Sequence, residues 1–386
     1  MQTSCRRSTK PLTVIPLTPL LTLLLVASTA LAAAPGSDPA SWASFRGDER
    51  QTGVAKAALP EELQLLWTAR IDGGIESTAA IVAGIVYVGG LDSTLSAFRL
   101  DNGERIWTYR ATAAIITSPA VSGAKVFCGD EAGVFHAVDA LSGAASWRFT
   151  TDAKIASSPN TAAGRVLFGS YDGNLYCLSA DSGAVAWQLE TDDYIHGAPA
   201  VADSLVATAG CDGLLRLIDL ETGTEVARIE LGTYVGASLA VSAVGTAYVG
   251  TFGNEVLGID LRQREVSWRY SAEHRQFPFY ASAALTDSAV VIGGRDRLLR
   301  ALDRRSGALL WSFDAGAKID SSPVVSGDRV YFGSAQGTVH SLDLATGQPR
   351  WSFDTGSSIT ASPAIAAGRL VIGTAGGSLH CFGGKD

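Results

Sequence analysis

Short apolar runs recur along the chain, each closing on a small residue and parted from the next by Gly, Asp, Asn or Ser. They end at Gly89, Gly129, Gly169, Ala209, Gly250, Gly293, Gly333 and Gly373, in steps of 40, 40, 40, 41, 43, 40 and 40. A tryptophan series keeps the same period: Trp67, Trp107, Trp147, Trp187, Trp268, Trp311 and Trp351, with Ala227 where a further Trp belongs. Each repeat holds a small-residue stretch such as Ser157-Ser158-Pro159, an apolar run such as Arg165 to Gly169, an alternating run such as Asn174 to Leu178, and a last run ending at the Trp. Asp-Gly, Ser-Gly and Gly-Asn pairs between the runs supply the positive φ that tight hairpin turns need. Four short antiparallel strands in each repeat of about 40 residues predict an all-β, eight-bladed β-propeller of four-stranded blades.

Small residues in the first strand suit a crowded hub. The eighth repeat runs from Thr360 to Phe382 and lacks its fourth strand, whereas Leu63-Gln64-Leu65-Leu66-Trp67 is a fourth strand with no repeat before it. The N-terminal strand is therefore expected to complete the last blade and remove an exposed edge. Loss of residues 60–70 is expected to cost far more stability than loss of residues 35–45. No linker breaks the period, which argues against two separate four-bladed domains.

The stretches Ala137-Val138-Asp139-Ala140-Leu141-Ser142-Gly143-Ala144-Ala145-Ser146-Trp147 and Ser341-Leu342-Asp343-Leu344-Ala345-Thr346-Gly347-Gln348-Pro349-Arg350-Trp351 carry a common motif. It resembles the A-x-D-x-x-T-G-x-x-x-W repeat of pyrroloquinoline-quinone-like propellers, from about Leu63 to Phe382. The resemblance implies eight blades and a Trp that docks the outer strands of neighbouring blades. Trp42-Ala43-Ser44-Phe45-Arg46-Gly47 is similar to the W-x-x-F-R-G lead-in that precedes such propellers in exported bacterial proteins. Arg99, Ser179, Ala227 and Arg264 depart from the motif, so blades one, three, four and five are expected to be less regular. The family has two functional branches. Quinone-dependent alcohol and sugar dehydrogenases carry long inserts, an adjacent Cys-Cys pair and often a haem domain, none of which this sequence shows. BamB-like scaffolds of outer-membrane β-barrel assembly are nearly all ring, as this chain is, although it lacks their lipid-attachment motif. The resemblance therefore implies a non-catalytic scaffold with no cofactor, the quinone-dependent dehydrogenase being the alternative.

Composition narrows the setting. Residues 1–32 read as a signal peptide, with Arg6, Arg7 and Lys10 before an apolar Leu17 to Leu31 and a small-x-small cleavage site at Ala30-Leu31-Ala32. A kept anchor is the alternative, and residues 33–62 form a lead-in to a propeller over 63–386. Removing the three basic residues of the leader leaves 27 basic against 38 acidic side chains, a charge of −11. An acidic exported chain is a poor nucleic-acid binder. Cys128, Cys177, Cys211 and Cys381 form no C-x-x-C and are expected to be isolated apolar fillers, with only Cys128 and Cys177 in neighbouring blades. The product is expected to be a soluble monomer without a membrane span, bound to an unidentified protein or extended peptide.

Candidate chemistry is read from differences among the repeats. Glu76, Ile116, Ala156, His196, Gly236, Tyr280, Asp320 and Thr360 occupy one position at the start of the first strand, near the axis. Glu76, His196, Tyr280 and Asp320 would line a mouth there, spread around the ring, and a solvated funnel rim is favoured over acid–base or metal chemistry. The longest irregular connection adds Arg275, Phe277, Phe279 and Tyr280, an aromatic loop suited to anchoring a partner. His136, His340 and His380 share a third-strand position with Tyr176 and Arg216, read as partly exposed and polar-tolerant.

Overall fold

The computed structural model describes residues 40–272 and 277–384; the signal-like leader, His274 and Arg275 lie outside the described residues. Eight sheets form, and in the first six blades the strands run outward from the axis in chain order. Blade three is representative, with antiparallel strands Asn160–Ala162, Arg165–Gly169, Asn174–Ser179 and Val185–Glu190. The innermost strands of successive blades touch in turn, and blade eight touches blade one, so the ring closes. Closure takes the expected form: Gln64–Arg70 pairs antiparallel with Ser378–Gly383 as the outer strand of blade eight.

The repeated motif is a joint between blades. Asp139 accepts hydrogen bonds from the backbone of Leu141 and Ser142 and from the Ser142 hydroxyl, which fixes the turn. Gly143 follows at φ 73, where a Cβ would lie 2.7 Å from the ring of Trp107, so only glycine lets the preceding blade's indole sit beneath the turn. The indole N–H of Trp107 then donates to the Ala140 carbonyl at 3.1 Å. Trp67, Trp147, Trp187, Trp268 and Trp311 repeat this, and Trp351 reaches the Leu63 carbonyl, tying blade seven to the closing strand. Ala227 and Arg264 prove to be one departure. With no indole at 227, the following turn needs no glycine, and Arg264 sits at φ 61. All four strands form in blades one, three, four and five, so the expected irregularity is confined to this joint.

Two belts hold the hub. Backbone N–H groups of Thr78, Ser118, Ala198, Ser238, Ser282, Ser322 and Ser362 each donate to the hydroxyl of the next blade at 2.8–3.2 Å. The belt breaks only where Ala198 offers Ser158 no hydroxyl, and Ser157 donates to the Gly197 carbonyl instead. The recurrent Ser-Pro stretches are thus structural.

The lead-in forms the second belt, further along the same strands. Trp42 exchanges two backbone bonds with Ile81 of blade one, and carbonyls of Ala43, Glu49, Arg50, Thr52 and Gly53 accept from Val121, Val201, Val241, Leu285 and Val325. Asn160 of blade three also donates to Glu49, and Val54–Ala55 adds a parallel fifth strand to blade seven. Trp42 is 1% exposed, so the lead-in contributes to the core as well as the closing strand does.

Candidate interaction face

The first-strand starts and the tips between second and third strands share one face. Tip N–H groups of Leu91, Glu131, Tyr171, Cys211, Phe252, Ala335 and Ala375 donate to the connection carbonyls of Gly74, Ala114, Lys154, Tyr194, Tyr234, Lys318 and Ser358. At the axis these elements surround a cup of about 150 Å³, with Glu76, His196, Tyr280 and Asp320 on its wall, the hydroxyl belt below and Phe45 of the lead-in reaching its lining.

Sequence reasoning placed those four residues on one mouth, and they are there, but no hydrogen bond or ion pair joins Glu76, His196 and Asp320 to one another. His196 Nδ1 lies 2.8 Å from the Tyr171 hydroxyl. Burial first, and then the nearby Lys154 charge, lower the His196 pKa, while burial raises that of Tyr171. Lys154 Nζ stands 4.5 Å over the Tyr171 ring, which stacks on Tyr194 at 4.7 Å. A second cluster lies across the cup. Arg295 forks onto Asp320 at 2.7 and 3.1 Å and lies 3.5 Å over the ring of Tyr280, which packs on Phe252 at 4.8 Å. Lys318 Nζ is 3.2 Å from Asp320. Each charge on this wall is thus committed to a neighbour or to an aromatic face, except Glu76, which is exposed. Among the described residues no group of His, Cys, Asp and Glu is placed to hold a metal.

The aromatic loop is half as expected. Phe277 is 47% exposed on the rim, but Phe279 is 1% exposed and belongs to the core, where it fills the place held by Ile195 or Ile319 in other blades. A Cβ at Gly250 would lie 2.4 Å from Phe279, just as one at Gly169 would meet Ile195 at 2.3 Å. Phe279 is therefore an internal anchor, which corrects its assignment to the binding surface. Two exposed rings escaped the sequence reading: Tyr194 at 49% and Tyr234 at 60%. They stand two residues before His196 and Gly236, at a position held by Gly74, Ala114 and Lys154 in blades one to three.

At the shared third-strand position His136, His380, Tyr176 and Arg216 are buried, whereas His340 is half-buried. His136 is wholly enclosed, with Nε2 2.9 Å from Asp130 and Nδ1 3.0 Å from Tyr109, and Tyr176 bonds Asp172. These side chains pin the blade tips from inside. Cys128, Cys177, Cys211 and Cys381 are free thiols. No described helix is long and apolar enough to cross a membrane.

The ring, the docking motif and the tip face together invite comparison with known proteins. The model of the family described as outer membrane protein assembly factor BamB matches residues 52–191, 131–277 and 295–386. The chain belongs to the BamB family. Among solved structures, BamB from Moraxella catarrhalis is 22% identical with a TM-score of 0.71, covering 84% of this chain and 98% of its own. A computationally designed propeller, Ika8, is 18% identical with a TM-score of 0.73 over 82% of this chain and 99% of its own. Quinohemoprotein alcohol dehydrogenase from Comamonas testosteroni is 14% identical with a TM-score of 0.78, covering 92% of this chain and 82% of its own. At these identities the likeness is one of fold. No curated protein sequence matches the chain. Within this BamB-family chain the aromatic residues of the tip face fall on one side of the ring.

Proposed function

We propose that the chain is an exported, non-catalytic scaffold that holds a protein partner on its tip face in the service of outer-membrane protein assembly. One observation carries the reading. Tyr194, Tyr234 and Phe277 stand exposed on three successive connections, entering blades four, five and six, with Tyr171 stacked on Tyr194 and Phe252 packed on Tyr280 in the same arc. Exposed aromatic rings backed by packed ones are the surfaces on which interface energy concentrates. An extended segment lying across that arc would seat apolar anchors between the rings. Partner identity, monomeric state and export extend the reading beyond the family assignment.

A quinone in the cup is the competing reading, and the cup residues do not fit it. The one guanidinium on the wall is committed to Asp320 and Tyr280, and the remaining unpaired charge, Glu76, would repel an acidic quinone. The test is photo-crosslinking in cells exporting the full chain. A photo-reactive phenylalanine at Tyr234 is expected to give a protein adduct, and one at Ala345 on the opposite turn face none. Adducts from Ala345 alone would overturn the choice of face.

A further inference from the structure

Three arginine side chains are almost wholly enclosed: Arg46, Arg216 and Arg300, at 1%, 2% and 3% exposure. Arg216 pairs with Asp192, Asp212 and Glu225, and Arg300 with Asp296. Arg46 has no carboxylate in ion-pair reach among the described residues. Asp48, whose charge it feels, spends its own carboxylate on the backbone N–H and hydroxyl of Thr52. One terminal nitrogen of Arg46 donates to the carbonyls of Ala283 and Pro323, at 3.0 and 2.5 Å. Its Nε and other terminal nitrogen have no partner.

The same segment holds further orphan donors. Gln51 is wholly buried at φ 61 with its amide unpartnered, and Trp42 has an unpartnered indole N–H. Gly53 N–H closes the loop onto the Arg46 carbonyl at 3.0 Å, and a Cβ on Gly53 would fall 1.9 Å from the guanidinium. The loop is thus built to place a guanidinium in the hub against Gly53, two residues along the chain from Gln51. Burial pulls Arg46 down to about 9, so it stays charged at neutral pH. A buried charge without a counter-charge is strongly unfavourable, and water supplies hydrogen bonds but no charge. The other two enclosed arginines show how this chain meets that demand elsewhere.

We infer that the hub below the cup binds one small monovalent inorganic anion, with Arg46 as its counter-charge and the Gln51 amide N–H as a neutral donor. The site is independent of the partner surface.

Crystals of the mature chain grown in sodium bromide, measured at the bromine absorption edge, are expected to show an anomalous peak within hydrogen-bonding distance of Arg46 Nε or its free terminal nitrogen. At constant ionic strength held with gluconate, chloride or bromide raised to a hundredfold over its Kd is expected to lift Tm by about 2–4 °C. Arg46→Met is expected to abolish that response. Should Arg46→Met fail to fold, Gln51→Leu is expected to weaken the halide midpoint roughly tenfold. Density at Arg46 without an anomalous peak, or a wild-type Tm indifferent to halide, overturns the site. An unchanged midpoint in Gln51→Leu overturns the role given to the amide.

Discussion

The two halves of the tip face share a backbone and differ in what they carry. Tip N–H to connection carbonyl bonds measure 3.0 Å at Tyr171, Cys211 and Phe252 on one half, and 3.0, 3.0 and 2.8 Å at Glu131, Ala335 and Ala375 on the other. At the tip and connection positions blades three to five bear Tyr171, Tyr194, Tyr234 and Phe252 beside Lys154 and Cys211, and the next connection carries Phe277 and Tyr280. Blades seven, eight, one and two bear Lys318, Ala335, Ser358, Ala375, Gly74, Leu91, Ala114 and Glu131 at those positions. A half that closes with alanine and glycine shows that the fold does not require aromatic rings there. The rings on the other half are therefore not demanded by ring closure, and the proposed recognition role rests on their exposure.

The comparison is broken most severely at the rings themselves. Tyr194→Ala, Tyr234→Ala and Phe277→Ala together are expected to weaken the captured partner at least about 100-fold, since aromatic anchors commonly contribute about 2 kcal/mol or more each. Tm is expected to stay within about 2 °C, because surface substitutions cost little. The matched triple Glu131→Ala, Gln336→Ala and Ser358→Ala should leave affinity within about twofold; equal losses from both triples would erase the distinction between the halves.

The scaffold, in contrast, is expected to answer alike on both sides. Trp187→Ala and Trp351→Ala each remove an indole that bridges two blades, at a cost of about 3–5 kcal/mol in denaturant unfolding. A cost at Trp187 well below that at Trp351 would mean that the aromatic half is held differently. Acid sharpens the contrast within blades. Burial holds His340 at about 4 against an ordinary 6.5, and it lowers His380 as well. Above pH 6.5 both the folded and unfolded states keep His340 neutral; below it the unfolded chain takes a proton that the folded chain refuses until about 4. Stability is therefore lost as pH falls through that window, by on the order of 2–3 kcal/mol for His340. Hydrogen exchange should loosen blades seven and eight before blade three, whose equivalent residue is Tyr176, and His340→Gln should flatten the profile. The smallest effect is a repair. Ala227→Trp with Arg264→Gly is expected to add about 1–2 kcal/mol by restoring the missing joint, whereas Ala227→Trp alone meets the Arg264 side chain and gains nothing.

Architecture was legible in the sequence because it rests on periodic needs. A glycine against the indoles of Trp67, Trp107, Trp147, Trp187, Trp268 and Trp311, a glycine against the Ile that enters each of six blades, and an orphan fourth strand at Trp67 all leave marks at fixed spacing. Ala209 shows the limit of such a mark: the next anchor is Val235 rather than Ile, and the smaller side chain fits the position that elsewhere takes glycine. The cup wall was legible for the same reason, since Glu76, His196, Tyr280 and Asp320 hold one register. Burial was not. Phe277 and Phe279 are two residues apart in one aromatic run, and only the packing of Phe279 against Gly250 separates anchor from surface. His136 looked tolerant of water because its repeat equivalents are polar, yet His136, Tyr176, Arg216 and His340 each reach a tip carboxylate or hydroxyl from inside the blade. The lead-in was least legible, because its route past seven blades runs through backbone carbonyls that any residue possesses.

The claim that one half of the tip face is the working half is tested most directly by a crosslinking scan around the ring. A photo-reactive residue is placed in turn at the equivalent tips Leu91, Glu131, Tyr171, Cys211, Phe252, Arg295, Ala335 and Ala375, and the adduct with the exported partner is quantified at each. Adducts concentrated at Tyr171, Cys211, Phe252 and Arg295 are the predicted result. Adducts spread evenly around the ring, or gathered at Ala335, Ala375, Leu91 and Glu131, would contradict it.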